Sequence, residues 1–310
     1  MYQGLRVGVV VPAWNESRLI ATTLTTMPDF VDRIVVVDDA STDDTADRAR
    51  AVDDPRVSVI THEHNGGVGS AILTGHKTLF AEGCDVSVVM AGDAQMDPNY
   101  LSALLDPIVH QGVGFAKANR FFNASSYSGM SRTRIFGNVV LSFLTKASSG
   151  YWHLFDPQNG YTALSAEAWR LLDSDSIARG YEFENSLLIN LNIANVRARD
   201  VPIPAVYGEE VSGIRLHKVV PRLLGTLWRG FWQRIVRKYV VPSFSPVALL
   251  LFTGLLLAGF GFFVGVFAVA YSIGPREAST GTWLLSVAPG MTGVFMLIQA
   301  LVLDIEESPR

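Results

Sequence analysis

Short runs of β-branched apolar residues recur along the first third of the chain. Residues 7–11, 34–37, 57–60 and 86–90 are each almost unbroken strings of this kind, the pattern of strands buried on both faces. Polar or turn residues follow each run, and stretches with helical spacing lie between them, near 18–26, 44–51 and 69–82. Strands alternating with helices predict βαβ units and a mostly parallel sheet. Such sheets bind ligands beyond the carboxyl ends of their strands. The unusual polar residues collect there: Asn15 and Glu16, Asp38 and Asp39, Asp93 and Gln95.

From about 112 to 207 the pattern is mixed. Residues 165–172 and 182–192 read as helices, and 196–201 reads as a late strand closed by Pro202 and Pro204. Beyond Tyr239 the pattern changes in kind. Residues 239–275 form a stretch of about 37 without a charge, well past the roughly 20 needed to cross a bilayer. Gly254, Gly259, Gly261 and Gly265 inside it suit a membrane helix better than a soluble one. A second uncharged stretch, 278–303, contains Pro289 and Gly290, which can kink a membrane helix. Between these spans and the first domain, 214–241 interleaves Arg215, Lys218, Arg222, Arg229, Arg234, Arg237 and Lys238 with leucines and tryptophans. This composition predicts one or two helices lying at a membrane interface, divided by Pro221; the blander reading is an ordinary basic helix facing water.

The expected fold class is therefore α/β. A Rossmann-like catalytic domain spans 1–212, amphipathic juxtamembrane helices span 213–241, and a two-span transmembrane anchor spans 242–310. Two spans put both ends on one side, and the positive charge before the first span predicts that side to be cytoplasmic. The N-terminus lacks the long apolar region and cleavage site of a signal peptide. Composition adds little more. Apolar residues make up 49% of the chain and mean hydropathy is +0.26, and the excess sits in the C-terminal spans. A net charge of −4 argues against a nucleic-acid binder. Cys84 is the only cysteine, so the chain has neither an internal disulfide nor a thiolate cluster for zinc.

Several groups carry candidate chemistry. Asp93 and Gln95 place a carboxylate and an amide oxygen two residues apart at a strand end, suited to Mg²⁺ or Mn²⁺ with phosphates completing the shell. Gly92 beside them lets a ligand approach the backbone. A plain Asx turn explains the same string. Asp38 and Asp39 suit ribose hydroxyls or a base N–H, whereas Thr42 or Asp43 reads as a helix N-cap. The string Asn65-Gly66-Gly67-Val68-Gly69 reads either as a phosphate cradle or as a simple turn, and it lacks the lysine of a P-loop. Arg120, Arg132 and Arg134 are candidates for bidentate phosphate contacts or simply surface charges. Residues 156–161 read as a turn, and Glu182 and Glu184 as capping charge on a helix start.

Together these strings resemble the family 2 glycosyltransferases of GT-A fold, and within them the dolichol-phosphate mannose synthase and bacterial polyprenyl-phosphate glycosyltransferase group. The resemblance runs from about Val7 to Lys218. It rests on Pro12-Ala-Trp14-Asn15-Glu16, Asp38-Asp39-Ala-Ser41-Thr-Asp43, Asn65-Gly-Gly67, Gly92-Asp93-Ala-Gln95-Met-Asp97-Pro98, Asn119-Arg120-Phe121 and Asp156-Pro157-Gln-Asn-Gly160-Tyr161. It implies that Pro12, Trp14, Glu16, Asp39, Gly92 and Asp93 line a nucleotide-sugar site, and that Asp93 and Gln95 hold Mg²⁺ or Mn²⁺. It implies that Arg120 with Arg132 (or Arg134) meets the phosphate of a lipid acceptor, with Ser212 and Arg215 or Lys218 in a following Ser-Lys-type element. Asp93, Arg120 and Arg132 are then the catalytic candidates. One departure stands out: the family's usual Asp-x-Asp-x-Gln begins here with Ala91.

The implied activity is inverting transfer of a sugar from a GDP- or UDP-sugar to an undecaprenyl or dolichyl phosphate, in a prokaryotic plasma or inner membrane. Membrane lipids and further copies of the chain are the expected partners, with no nucleic acid. Two rivals remain. One is a same-fold transferase acting on a glycerolipid or glycan hydroxyl, which needs a base such as Asp156 or Glu184. The other is a catalytically impaired membrane scaffold, suggested by Ala91.

Overall fold

The computed structural model describes residues 1–121, 132–156, 159–204, 216–273 and 277–310. Ser212, Arg215, Pro157 and Gln158 lie outside the described residues. Arg132, Arg134 and Lys218 lie on described helices, but their side chains do not belong to the described set. The chain divides into two compact units, Met1–Phe231 with Pro309–Arg310, and Trp232–Ser308.

The first unit is built on a seven-stranded sheet in the order β3-β2-β1-β4-β6-β5-β7. Its strands are β1 (Val7–Ala13), β2 (Arg33–Asp38), β3 (Val57–Thr61), β4 (Val86–Val89), β5 (Phe115–Asn119), β6 (Thr162–Ser165) and β7 (Ala198–Pro202). β1 pairs in parallel with β2 on one side and with β4 on the other. β6 runs antiparallel to both β4 and β5, and β5 is parallel to β7. The sheet is thus mostly parallel. The chain travels outward from β1 through β2 to β3, then crosses back to β4 on the other flank. That reversal makes the β1/β4 boundary a topological switch point, the place where open α/β sheets take ligands beyond the carboxyl ends of their strands.

Alternation along the strands separates two apolar layers. Val7, Val9 and Val11 of β1 pack with α1 (Ile20–Thr25) and α4 (Leu101–Gln111) through Ile20, Leu24, Leu101, Leu104 and Leu105. Val10, facing the other way, packs with α3 (Val68–Ala81). The contact is close: a Cβ on Gly75 of α3 would sit 2.3 Å from Val10, so only glycine lets the helix approach the sheet this far. On the same side α7 (Phe183–Ile193) buries Leu187, Leu188 and Leu191. The remaining helices of this unit are α2 (Thr45–Arg50), α5 (Arg132–Ser149), α6 (Ala166–Leu171) and most of α8 (Leu216–Arg234).

Two features correct the sequence reading. Pro221 does not divide the juxtamembrane segment: α8 runs through it for 19 residues. A proline forfeits one ladder bond, and so close to the helix start the rest of the ladder carries that loss. The basic-aromatic face is also narrower than expected. Arg222, Arg229 and Arg237 are exposed, as are Val220, Leu224 and Trp228, while Leu223 and Leu227 are buried. Arg234, however, is fully buried.

The second unit contains α9 (Pro246–Ser272) and α10 (Thr280–Glu306), each 27 residues long and apolar enough to cross a membrane. They pair through small residues. A Cβ on Gly261 would lie 2.6 Å from the Gly290 backbone, and one on Gly293 would lie 2.3 Å from the Ala258 backbone. Ser286 Oγ donates to the Gly261 carbonyl at 2.8 Å. This is the close backbone approach by which membrane helices associate without a hydrophobic driving force. Gly254 also faces α10, whereas Gly259 faces open space. α10 continues through Pro289 without interruption.

Candidate active site

Three strand ends meet at the switch point, and each is followed by a turn with the same uncommon backbone. Asn15 after β1, Ala40 after β2 and Ala94 after β4 have φ of 58°, 59° and 57°. Residues with a Cβ seldom adopt this region, at a cost on the order of 1 kcal/mol each, and do so where the surroundings hold them. The first two turns are tied together. The Asn15 N–H donates to Ser41 Oγ at 2.9 Å, and Asn15 Oδ1 accepts from the Thr42 N–H at 2.8 Å. The Glu16 N–H donates to Thr45 Oγ1 at 2.8 Å, while Asp43 Oδ1 accepts from both the N–H and the hydroxyl of Thr45. Asp43 therefore braces the start of α2, but the N-cap position itself is Asp44, not Thr42 or Asp43 as the sequence suggested.

These bonds fix the walls of the crevice. Pro12 is buried within β1, and Trp14 beyond it is 55% exposed, leaving a broad aromatic face for a flat ring or a ribose. Gly92 extends the β1–β4 pairing by donating to the Pro12 carbonyl at 3.2 Å. Asp93 Oδ1 accepts from the Gln95 N–H at 3.1 Å, across the left-handed Ala94. The Asx turn is therefore real, and it holds the Asp93 carboxylate and the Gln95 amide on one short loop. Burial raises the Asp93 carboxyl above its ordinary range, and the Gln95 N–H offsets this in part.

Asp39, which the resemblance sets along the nucleotide site, also has a structural role. Its carboxylate is buried. Oδ1 accepts from the Gly66 N–H at 2.9 Å and lies 2.7 Å from His62 Nδ1, and Oδ2 accepts from the Gly67 N–H at 2.8 Å. The carboxylate thus organises the glycine turn before α3. That turn is a packing device. A Cβ on Gly67, whose φ is 89°, would lie 2.7 Å from the Arg179 carbonyl, and one on Gly69 would meet Phe183 at 2.8 Å. The Ser70 N–H donates to the Arg179 carbonyl at 3.1 Å. The start of α3 is therefore packed tightly against the backbone around Arg179. Nothing local in the sequence marks His62 as the partner of Asp39.

A second group of charges lies where β5 and β7 end. Arg120 follows β5 and makes a bidentate pair with Asp156, with Nε to Oδ2 at 2.6 Å and a terminal nitrogen to Oδ1 at 2.8 Å. The Arg120 N–H adds a bond to Oδ2 at 3.2 Å. Burial opposes the Asp156 charge, but the hydrogen bonds and charge of Arg120 outweigh it and hold the carboxyl below its ordinary value. Lys117 is fully buried on β5, and burial lowers its pKa against the pull of Asp200 and Asp156. Glu184, at the start of α7, has its carboxyl pushed up to about 7 by burial. Its Oε1 lies 3.7 Å from where a Cβ on Gly160 would stand, and Met96 Cε lies 3.5 Å from the same point. Gly160 thus separates Glu184 from the Asp93 loop by the width of one small residue. Lys117 and Asp200 were missed in the sequence, although a lysine inside the apolar string Phe115-Ala-Lys117-Ala is itself a sign of a buried partner.

Among the described residues no cluster of three His, Cys, Asp or Glu side chains is arranged to hold a metal. Asp93 and Gln95 still fit a hard divalent cation of the Mg²⁺ or Mn²⁺ type, which takes one or two protein oxygens and completes its shell with phosphates and water. A carboxylate destabilised by burial gains from such a cation.

Comparison with known proteins identifies the family. Residues 8–172 match the family described as "Glycosyl transferase family 2". The undecaprenyl-phosphate mannosyltransferase of Micrococcus luteus is 30% identical over 244 residues, covering 74% of this chain and 99% of that protein. The UDP-N-acetylglucosamine–dolichyl-phosphate N-acetylglucosaminyltransferase of Methanococcus voltae is 29% identical over 216 residues, covering 65% of this chain and 86% of that protein. Among solved structures, glucosyl-3-phosphoglycerate synthase of Mycobacterium tuberculosis in complex with Mn²⁺, UDP-glucose and phosphoglyceric acid superposes with a TM-score of 0.55 at 23% identity, covering 74% of this chain and 80% of that one. That similarity shows a shared GT-A fold. The match over more than half of the chain, and a relative covered almost end to end, establish that this chain belongs to glycosyl transferase family 2.

Proposed function

We propose that the chain transfers a hexose from a nucleotide-sugar donor to a polyprenyl phosphate at the cytoplasmic face of a membrane. The observation that carries this reading is one polypeptide joining the Asp93/Gln95 crevice to two helices of spanning length. A soluble acceptor gives such helices no role; a lipid acceptor does, because they hold the crevice at the bilayer that carries it. The relatives named for undecaprenyl and dolichyl phosphate support the same acceptor class.

In this reading Pro12, Trp14, Glu16 and Gly92 line the donor site, with Asp39 holding the neighbouring loop in shape. Asp93 and Gln95 hold Mg²⁺ or Mn²⁺, which supplies positive charge against the departing diphosphate. Arg120, set by Asp156, and Arg132 or Arg134 orient the acceptor phosphate, with Ser212 following in the chain. A phosphate oxygen forms the new bond to C1 of the sugar as the bond from C1 to the nucleotide diphosphate breaks, and the electron pair leaves with the diphosphate. The acceptor is already ionised at neutral pH, so no proton has to move. Attack opposite the leaving group inverts the anomeric carbon.

The test is transfer from labelled UDP- and GDP-sugars to undecaprenyl phosphate in detergent, with and without Mn²⁺. The expected result is a metal-dependent lipid-phosphate product. Asp93→Ala should lose transfer by at least about a hundredfold, the usual scale for losing a group that acts in the transition state. It should unfold at nearly the wild-type temperature, because removing a destabilised carboxylate costs little. Near wild-type turnover in that variant would remove the Asp93 role.

One observation favours a second reading. Glu184, with its carboxyl pushed up to about 7 beside the Asp93 loop, has the acidity of a general base for a hydroxyl acceptor. Product on diacylglycerol or a glycan, with none on undecaprenyl phosphate, would favour it.

A further inference from the structure

The buried pair of Lys117 and Asp200 serves no step proposed above, yet it grips a single residue from both sides. The two face each other in the register between β5 and β7. Asp200 Oδ2 accepts from the Phe155 N–H at 2.5 Å. Lys117 Nζ donates to the Phe155 carbonyl at 2.9 Å and to the carbonyl of Asp156. The two charged groups lie 4.0 Å apart, and Asp200 Oδ1 has no hydrogen-bond partner among the described residues. One strand pair therefore holds the amide of residue 155 with an acid and its carbonyl with an amine.

The residue so held leads directly to the arginine. Asp156 has a φ of 50°, a left-handed conformation that a side chain with a Cβ keeps only under constraint. Its carboxylate takes three bonds from Arg120. A buried ion pair adds little stability over apolar residues of the same shape, but it fixes geometry. The charges of Arg120 and, more weakly, Glu184 also act on Lys117.

We propose that the Lys117–Asp200 pair is a positioning element for the acceptor-phosphate arginine, acting through the constrained backbone of Phe155 and Asp156. Lys117 touches no substrate. It locks Asp156 in the left-handed turn, Asp156 holds the Arg120 guanidinium flat, and the arginine meets the phosphate already aligned. This rests on the reading of Arg120 as a ligand of the acceptor phosphate.

The experiment measures kcat and the separate KM values for undecaprenyl phosphate and for the nucleotide sugar. It compares the wild-type full-length protein with Lys117→Met, Asp156→Asn, the Lys117→Met/Asp156→Asn double variant and Arg120→Gln, with folding checked by thermal unfolding. Lys117→Met should raise acceptor KM about tenfold or more while donor KM stays within about twofold. The double variant should be no worse than Asp156→Asn, because both substitutions break one chain of contacts. If Lys117→Met does not fold, Lys117→Gln is read against the same thresholds. A folded Lys117 variant with unchanged acceptor KM, or a double variant showing the product of the single effects, overturns the positioning role alone. Unchanged acceptor KM in Arg120→Gln overturns the acceptor reading beneath it, and both fall together.

Discussion

At the residue scale, Glu184 offers a check that does not depend on any substrate. Its carboxyl is pushed from an ordinary 4.5 to about 7 by burial. Between these values the unfolded chain has released the proton that the folded chain still holds. Fewer protons are bound in the unfolded state, so stability contributed by this group falls as pH rises from about 4.5 to about 7. Glu184→Gln removes the titration while keeping the shape. The unfolding temperature of that variant should exceed that of the wild type by a margin that grows from pH 5 to pH 8, reaching at least a few degrees, as one or two kcal/mol would give in a domain of this size. A constant margin across that range would mean that Glu184 is ionised in the folded protein. Loss of transfer in the same variant would move the weight toward a hydroxyl acceptor.

At the scale of elements, the buried Arg234 links the end of α8 to α10. Its guanidinium donates to Asp304 Oδ1 at 2.5 Å and to Oδ2 at 3.0 Å, and the Tyr239 hydroxyl donates to Oδ1 at 2.6 Å. Tyr239 lies in the π-helical segment Ile235–Val240 that follows α8. Removing either charged partner strands the other, a loss of roughly 3–5 kcal/mol, whereas replacing both with apolar residues is close to neutral. Arg234→Leu and Asp304→Leu should each lower the unfolding temperature in detergent by several degrees, and the double variant should recover most of the loss. Additive losses would show that the two side chains act independently.

The same pair explains what was legible in the sequence. Arg234 read as an outward cation because its run is basic and aromatic, and its acid lies 70 residues further on. Long-range pairs of this kind leave no local pattern. The first four strands and the Asp93/Gln95 loop were readable because each is written in consecutive residues. β5, β6 and α5 were not: β5 carries a lysine in its middle, β6 is only four residues long, and α5 mixes many polar residues among its apolar ones. The link from Arg120 to Asp156 spans 36 residues, so the arginine and the acid were each visible as candidates but not as a pair.

At the scale of the whole molecule, the spans expose side chains that water would not tolerate in such number. Leu256, Phe262, Phe263, Leu284 and Met291 are among many large apolar residues exposed on α9 and α10, and extended apolar surface of this kind marks an interaction or membrane face. Lipid is the solvent that satisfies it. In the proposed topology two spans return the chain to its starting side, which puts the segment between them across the bilayer from the catalytic domain. The single Cys84 is buried, which leaves a quiet background for thiol labelling. With an impermeant maleimide and sealed right-side-out vesicles, Glu277→Cys between the spans should label before lysis, and the exposed Asp53→Cys on the catalytic domain should label only after lysis. Labelling of Asp53→Cys in intact vesicles would place the transferase outside and overturn the cytoplasmic assignment. Labelling of both positions only after lysis would instead mean that α9 and α10 do not cross the membrane. The acceptor phosphate would then have to be reached from the interface alone, by α8 with Val220, Leu224 and Trp228 exposed beside Arg222 and Arg229.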